Sequence, residues 1–258
     1  MKDTVRLKKT IGYTLGTLAA STAMAQSVSV TNAPPPQWVS SAALGVTLTR
    51  GNSDTTTVSA NAVTEKKWLK NDLTFGVDGL YGTQKLPGAS SSSEVADQLH
   101  GYGQYNRSLT DQFYGYFRVD GLHDGIADIQ YRLTLSPGAG YYFVKEKNTD
   151  VSVEVGPSWI DEKLGASTYL NYAALRVAQK IHQTISDRSR FWETLEWLPE
   201  VDNLNNYIIN LEIGFEADIT KNKKLSLRTT LDDTYNNVPA AGRLKNDLKL
   251  ITGIAYKF

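Results

Sequence analysis

The 258-residue sequence contains no cysteine, which excludes disulfide cross-links, thiolate metal sites, cysteine nucleophiles and a lipid-modified N-terminal cysteine. Long apolar runs are missing too. No stretch of about 18 apolar residues occurs, so no helical membrane span is available. There is no excess of one charge: Lys plus Arg and Asp plus Glu number 27 each, and such a balance gives nucleic acid no bulk attraction. A mean hydropathy of -0.33 and 41% hydrophobic residues would suit a soluble protein. They suit a membrane β-barrel equally, because only alternate residues of its strands face lipid.

What is present begins with an export pattern. Lys2, Arg6, Lys8 and Lys9 precede a short apolar stretch, 11–22, and Ala23-Met24-Ala25 supplies small residues around a cleavage point. Residues 1–25 therefore read as a signal peptide, with Gln26 as the mature start. Removing four bases and one acid (Asp3) leaves 23 basic and 26 acidic side chains, a formal net charge of -3. Residues 26–37 hold three consecutive prolines, Pro34 to Pro36, which favour polyproline II and lack ladder donors; they read as a periplasmic leader.

From Trp38 to the end the chain alternates with period two. The last segment is the clearest. Leu248, Leu250, Thr252, Ile254, Tyr256 and Phe258 fall on one face, and Asp247, Lys249, Ile251, Gly253, Ala255 and Lys257 on the other. Tyr207, Ile209, Leu211, Ile213 and Phe215 form a second clean apolar face, backed by Asn210, Glu212, Glu216 and Asp218. Repeated along 38–258, the pattern gives about twelve strands of roughly 9 to 14 residues, enough to cross a bilayer when tilted. The short turns near Lys70, Thr110, Lys145, Ser186 and Thr220 then share one end. The longer links at 85–94, 198–206 and 235–243 share the other, and 161–167 reads as a loop. Aromatic residues cluster at both strand ends: Trp38, Trp68, Phe113, Phe143, Phe191 and Phe258 at the turn end, and Tyr81, Trp159, Tyr169, Tyr207 and Tyr235 at the loop end. The reading is an all-β, transmembrane, antiparallel up-and-down barrel spanning 38–258. The competing fold is a soluble sandwich or lipocalin-like barrel, whose apolar face would point inward. Segments 96–121 and 191–198 show no clear facing.

A terminal amphipathic strand ending on Phe258, with Tyr256 two residues earlier, resembles the assembly signal of bacterial outer-membrane barrels. Residues 49–62 (TRGNSDTTTVSANA), 131–143 (YRLTLSPGAGYYF) and the final GIAYKF resemble the uncharacterised family of salt-induced outer-membrane proteins, over about Trp38 to Phe258. The resemblance implies a Gram-negative outer-membrane location, a salt- or envelope-stress-linked role, and contact with outer-membrane lipid, lipopolysaccharide and the barrel-assembly machinery. It brings no catalytic or ligand residues. A monomer is expected.

Candidate chemistry is sparse. His123 stands beside Asp120 and Asp124, so an outer-membrane lipid or lipopolysaccharide hydrolase centred on it is the alternative function, but no serine motif supplies a nucleophile. The same three residues, or Asp232 with Asp233, could approach a cation, yet no second ligand cluster completes either set. No cofactor, metal or catalytic residue is expected. The inner face is richer. Glu212, Glu216, Asp218, Asp232, Arg132, Arg176, Arg228 and Lys249 all point inward on this register, as a lumenal charge network. Such a lumen either passes water, ions and small solutes or is shut by its own ion pairs, leaving a structural barrel. Glu216 and Arg228 flank a short turn at matched distances and should pair.

Overall fold

The structure, a computed structural model, describes residues 37–49 and 54–258. The expected signal peptide, residues 26–36 of the leader and positions 50–53 within the 49–62 segment lie outside the described residues. Twelve strands follow in order: β1 (Trp38–Thr49), β2 (Asp54–Trp68), β3 (Asn71–Lys85), β4 (Ser93–Ser108), β5 (Phe113–Asp124), β6 (Ile129–Lys145), β7 (Thr149–Leu164), β8 (Thr168–Ser186), β9 (Ser189–Pro199), β10 (Tyr207–Asp218), β11 (Leu225–Asn236) and β12 (Asn246–Lys257). Each pairs antiparallel with its chain neighbours, and β12 returns to β1, closing the sheet into a barrel. Closure gives every strand a neighbour on both sides, which is what a sheet surrounded by hydrocarbon requires.

The closing seam is the shortest ladder. β1 and β12 pair from Ser41↔Lys257 to Leu44↔Ile254, four positions, whereas β1 and β2 pair over twelve. The amide of Phe258 adds one bond beyond the strand, to the carbonyl of Ser40 at 3.1 Å.

One end of the barrel carries the tight turns 69–70, 109–112, 146–148, 187–188 and 219–224; the other carries the loops 86–92, 200–206 and 237–245 and the tighter links 125–128 and 165–167. Threonines build two of the tight turns. Thr110 Oγ1 accepts from the amides of Gln112 and Phe113, and Thr220 Oγ1 accepts from that of Leu225, the side-chain mimicry that makes hydroxyls frequent in turns. The strands run from 11 to 19 residues, longer than the alternation suggested. Residues 161–164 are also strand rather than loop, because β7 stays paired with β8 as far as Leu164↔Thr168.

Burial is inverted relative to a soluble barrel. Outward Leu250 is 71% exposed and Leu48 63%, while inward Glu154 and Ser136 are fully buried. An apolar outside around a polar inside is the arrangement of a transmembrane barrel and excludes the lipocalin-like alternative. Aromatic rings band both ends: Phe113, Tyr141 and Phe143 pack edge-on at 4.8 and 5.0 Å at the turn end, and Tyr207 stacks on Tyr235 at 5.9 Å at the loop end.

The three strands that the sequence left unassigned now sort. On β4 and β5, Tyr102, Tyr114 and Tyr116 point inward, and Tyr105 points outward beside Trp68. On β9, Trp192, Thr194, Glu196 and Leu198 are inward, and Phe191, Glu193, Leu195 and Trp197 are outward. Acids therefore stand on the outer face as well, two of them opposite aliphatic side chains. Glu193 lies between Ile181 and Ile213 in the ladder, and Asp233 opposes Leu211 and takes a hydrogen bond from Asn246 at 2.8 Å.

Those two acids decide where an inserted cation should hurt. Val155, in the middle of β7, is flanked outward by Ala139 and Val177. Val155→Arg is expected to cost about 2 to 4 kcal/mol. Leu211→Arg would face Asp233 nearer the loop end and should cost less. Urea titrations of both variants folded into vesicles test the order; equal costs would mean that the outward face is not uniformly in lipid.

Candidate functional site

The lumen holds the polar chemistry, and alternation explains how it arrives there. Every second residue of each strand points inward, so Ser152, Glu154 and Ser158 of β7 enter beside Arg176 and Lys180 of β8. Four inward aromatics find room because each opposes an inward glycine in register: Tyr102 over Gly76, Tyr114 over Gly140, Tyr116 over Gly138 and Trp192 over Gly214. A Cβ at any of these glycines would collide with the ring.

Glu154 is the hub of the β4–β9 wall. Its Oε2 pairs with Arg176 Nη1 at 2.7 Å. Its Oε1 pairs with Lys180 at 2.8 Å and accepts from Gln104 Nε2 at 2.8 Å and the Tyr114 hydroxyl at 2.9 Å. Arg176, 1% exposed, reaches Glu196 with Nε and lies 5.3 Å from the centre of the Tyr116 ring. Gln104 is on β4 and Lys180 on β8, so the 3.1 Å contact between them bridges strands that are not neighbours. Beside the hub, Arg118 Nε pairs with Asp120 at 2.8 Å. His100 has a carboxylate at each ring nitrogen, Asp78 at 2.9 Å and Asp120 at 3.4 Å. Buried charges persist only when matched in this way.

A second network closes the turn end around Glu216, which is 2% exposed. Arg228 Nη2 lies 2.8 Å from Glu216 Oε2, its register partner across the turn. Arg190 at 2.6 Å and Lys257 at 3.0 Å take the other oxygen, and Asp218 pairs with Lys257. Arg228 also donates to Asn61 of β2 at 3.0 Å and to Ser41 of β1 at 3.1 Å, spanning the seam. The void beside it, about 10 Å³, has room for about one water.

The loop half of the lumen carries an apolar wall beside its charges. Ile129, Ile160, Leu164, Leu198 and Ile208 are inward and buried there. Arg132 pairs with Glu162 at 2.6 Å, and Glu162 accepts from Tyr172 at 3.2 Å. Lys249 of β12 reaches Gln98 of β4 at 2.6 Å and Asp124 of β5 at 3.7 Å, strands nearly opposite it in the ring. Arg132 Nη2 and the Tyr116 hydroxyl are buried with no hydrogen bond meeting ordinary geometry among the described residues.

The eight lumenal charges named from sequence thus divide among separate networks. Glu216, Arg228 and Asp218 share the turn-end group. Arg176 joins the hub, Arg132 pairs alone with Glu162, and Lys249 forms the loop-end strut. Asp232 stands between Glu212 and Lys249 in register, and Glu212 accepts from the Trp192 indole. Glu196, Arg118 and Arg190 were missed. Arg190 lies in β9, whose facing could not be read, and Glu196 likewise; Arg118 lies in the equally unclear β5.

Accessibility separates the two signs in mid-barrel. Arg176, Arg118, Lys180 and Arg228 are buried or nearly so, each against a carboxylate. Asp78 has 46% of its side chain exposed, Glu212 is exposed and Asp232 half-buried, and Asp232 lies within electrostatic reach of the other two. The bases that meet water most, Lys67 and Arg190, belong to the turn-end rim, while Lys249, level with Asp232, keeps 21% of its side chain exposed and reaches Asp124.

The histidine and metal readings do not assemble. His123 faces outward, with Nδ1 2.9 Å from the Gln130 carbonyl oxygen and Nε2 3.6 Å from Asp97, whereas Asp120 and Asp124 face inward from the same strand. Asp232 and Asp233 likewise fall on opposite faces. Among the described residues no group of three or more His, Asp or Glu is placed to hold a metal ion. Tyr256 and Phe258 stack at 6.0 Å on the outer face at the turn end.

A closed antiparallel ring that is wet inside and apolar outside is the architecture of porin-like membrane barrels. Within that class the chain belongs to the family described as protein of unknown function, DUF481, matched over residues 42–258. That description carries no salt-linked role. The structure resembles the NanC porin (TM-score 0.50, 8% identity, covering 85% of this chain and 100% of that one). It also matches the KdgM porin in complex with disordered oligogalacturonate (TM-score 0.44, 9% identity, 86% and 99%). A third match is the outer-membrane channel DcaP of Acinetobacter baumannii (TM-score 0.41, 8% identity, 86% and 96%). At 8% identity the NanC likeness speaks for the fold alone. No curated protein matches the sequence.

Proposed function

We propose that the protein is a narrow conduit for small cations across the Gram-negative outer membrane. The observation that carries this reading is the segregation of charge in mid-barrel: the bases are locked into pairs, and the carboxylates of Asp78, Glu212 and Asp232 face the accessible space. Rings of acidic side chains favour cation passage by this means. The bridges across the lumen keep the bore too tight for large solutes, and they favour a second reading, a structural barrel held shut by its own side chains.

Single-channel recording in planar bilayers under a KCl gradient separates the two. The expected result is small discrete openings with a cation-selective reversal potential, moved toward zero in Asp78→Asn/Glu212→Gln. Silence at every voltage would leave the structural barrel; anion preference would overturn the charge argument.

Export through cleavage after Ala25, a leader at 26–37 and a monomeric barrel facing lipid and lipopolysaccharide belong to the same reading. So do insertion by the barrel-assembly machinery and expression linked to salt or envelope stress. The N-terminal pattern, the terminal strand and the resemblance of 49–62 and 131–143 support them.

A further inference from the structure

We propose that the loop joining β11 to β12, residues 237–245, is a lid over the loop-end mouth, held here in its closed position. The inference rests on the conduit reading and adds how that conduit is regulated. The loop leaves β11 and returns to β12, yet its tip packs against the far wall. Ala240 is 6% exposed and is buried with Ile129 of β6 and Leu164 of β7, against Leu122, Ala127 and Leu170. β6 lies opposite β12 in the ring, so the loop crosses the mouth. Arg243 reaches Asp128 at 4.0 Å on that same wall. Beneath the loop, the Lys249–Asp124 contact forms a second crossing.

The two ends of the loop are held very differently. Its base is stapled: the Asn236 amide bonds to the Lys245 carbonyl at 2.7 Å, the Asn237 amide to the Tyr207 carbonyl at 3.0 Å, and the Asn237 side chain to the Asn205 carbonyl at 2.6 Å. Its tip rests on one alanine and one long, partly exposed ion pair, and a pair open to water contributes little and is weakened by salt. A firm base with a lightly held tip is the construction of a hinged lid. The inward face of the loop half also turns apolar where the tip lands, giving Ala240 a dry seat that a purely conducting lumen would not need.

Two experiments use the absence of native cysteine. In the first, Asp247→Cys places a single thiol on the inward face just below the loop, and its labelling by a charged maleimide is timed in folded protein. Adding Ala240→Asp and Arg243→Asp, which put acids into the apolar seat and opposite Asp128, should speed labelling severalfold. Equal rates would overturn the lid whatever the barrel conducts. In the second, Ala240→Cys with Leu164→Cys is oxidised to lock the tip. Conductance should fall and return with reductant, while the double-aspartate protein should stay open longer. Fast labelling without conductance would sink the conduit and keep the lid. Conductance unaffected by an oxidised lock would sink the lid and keep the conduit. Heat-modifiable migration in electrophoresis checks that each variant is folded.

Discussion

Glu154→Ala should lower the unfolding free energy of the barrel by about 3 to 5 kcal/mol, the usual consequence of removing one partner from a buried charge group. The carboxylate is fully buried and serves four donors at once. Its loss does not affect them equally. Arg176 keeps Glu196, but among the described residues no other carboxylate pairs with Lys180, which retains the Gln104 oxygen as a polar contact. Lys180 is then the stranded cation. Lys180→Met in the same chain should recover part of the loss, because deleting both members of a buried pair costs less than deleting one. Glu154→Gln keeps an acceptor without the charge and should fall between the two. Urea titration of vesicle-folded protein measures all three. A loss for Glu154→Ala of less than about 1 kcal/mol, the size expected of an exposed pair, would show that water reaches Lys180 freely and that the β4–β9 wall is not dry.

Phe258→Asp should remove most of the membrane-inserted, heat-modifiable protein from cells. The structure gives the last residue two jobs. Its ring stacks on Tyr256 in the aromatic band of the turn end, and its amide extends a seam that is otherwise four residue pairs long. A carboxylate there loses the ring contact and faces the interface at the weakest joint in the ring. Refolding into lipid vesicles without cellular factors tells the two roles apart. Normal refolding with failure in cells would place the defect in recognition of the terminal strand. Failure in both would place it in closure. Normal levels in cells would refute the outer-membrane assembly reading.

How much of this could be read in advance depended on local contrast. β10 and β12 were plain because every outward residue from Tyr207 to Phe215, and all but Thr252 from Leu248 to Phe258, is apolar. β9 was opaque for a physical reason: FWETLEWL places an aromatic, an acid and an aliphatic on each face, and outward Glu193 defeats any rule that charges point in. β4 and β5 misled because glycines such as Gly101 and Gly103 stand outward while three tyrosines stand inward. Pairing between adjacent strands was accessible by counting from a turn, and Glu216 with Arg228 is the example. Contacts between strands that do not adjoin were not, since nothing in the spacing of Gln104 and Lys180, or of Ala240 and Ile129, announces that the ring brings them together. The aromatic–glycine partnerships were visible in principle, as an inward ring opposite an inward glycine, but only once the register was known.

Those partnerships set the bore of the barrel. A ring that lies flat over a glycine lines the wall like a tile, adding thickness but no obstruction. With alanine in place of Gly76, Gly138, Gly140 or Gly214, the ring would have to stand away from the wall and swing toward the axis. The width of the lumen beside each ring is therefore adjustable by one carbon atom at any of four places, without altering a single charge.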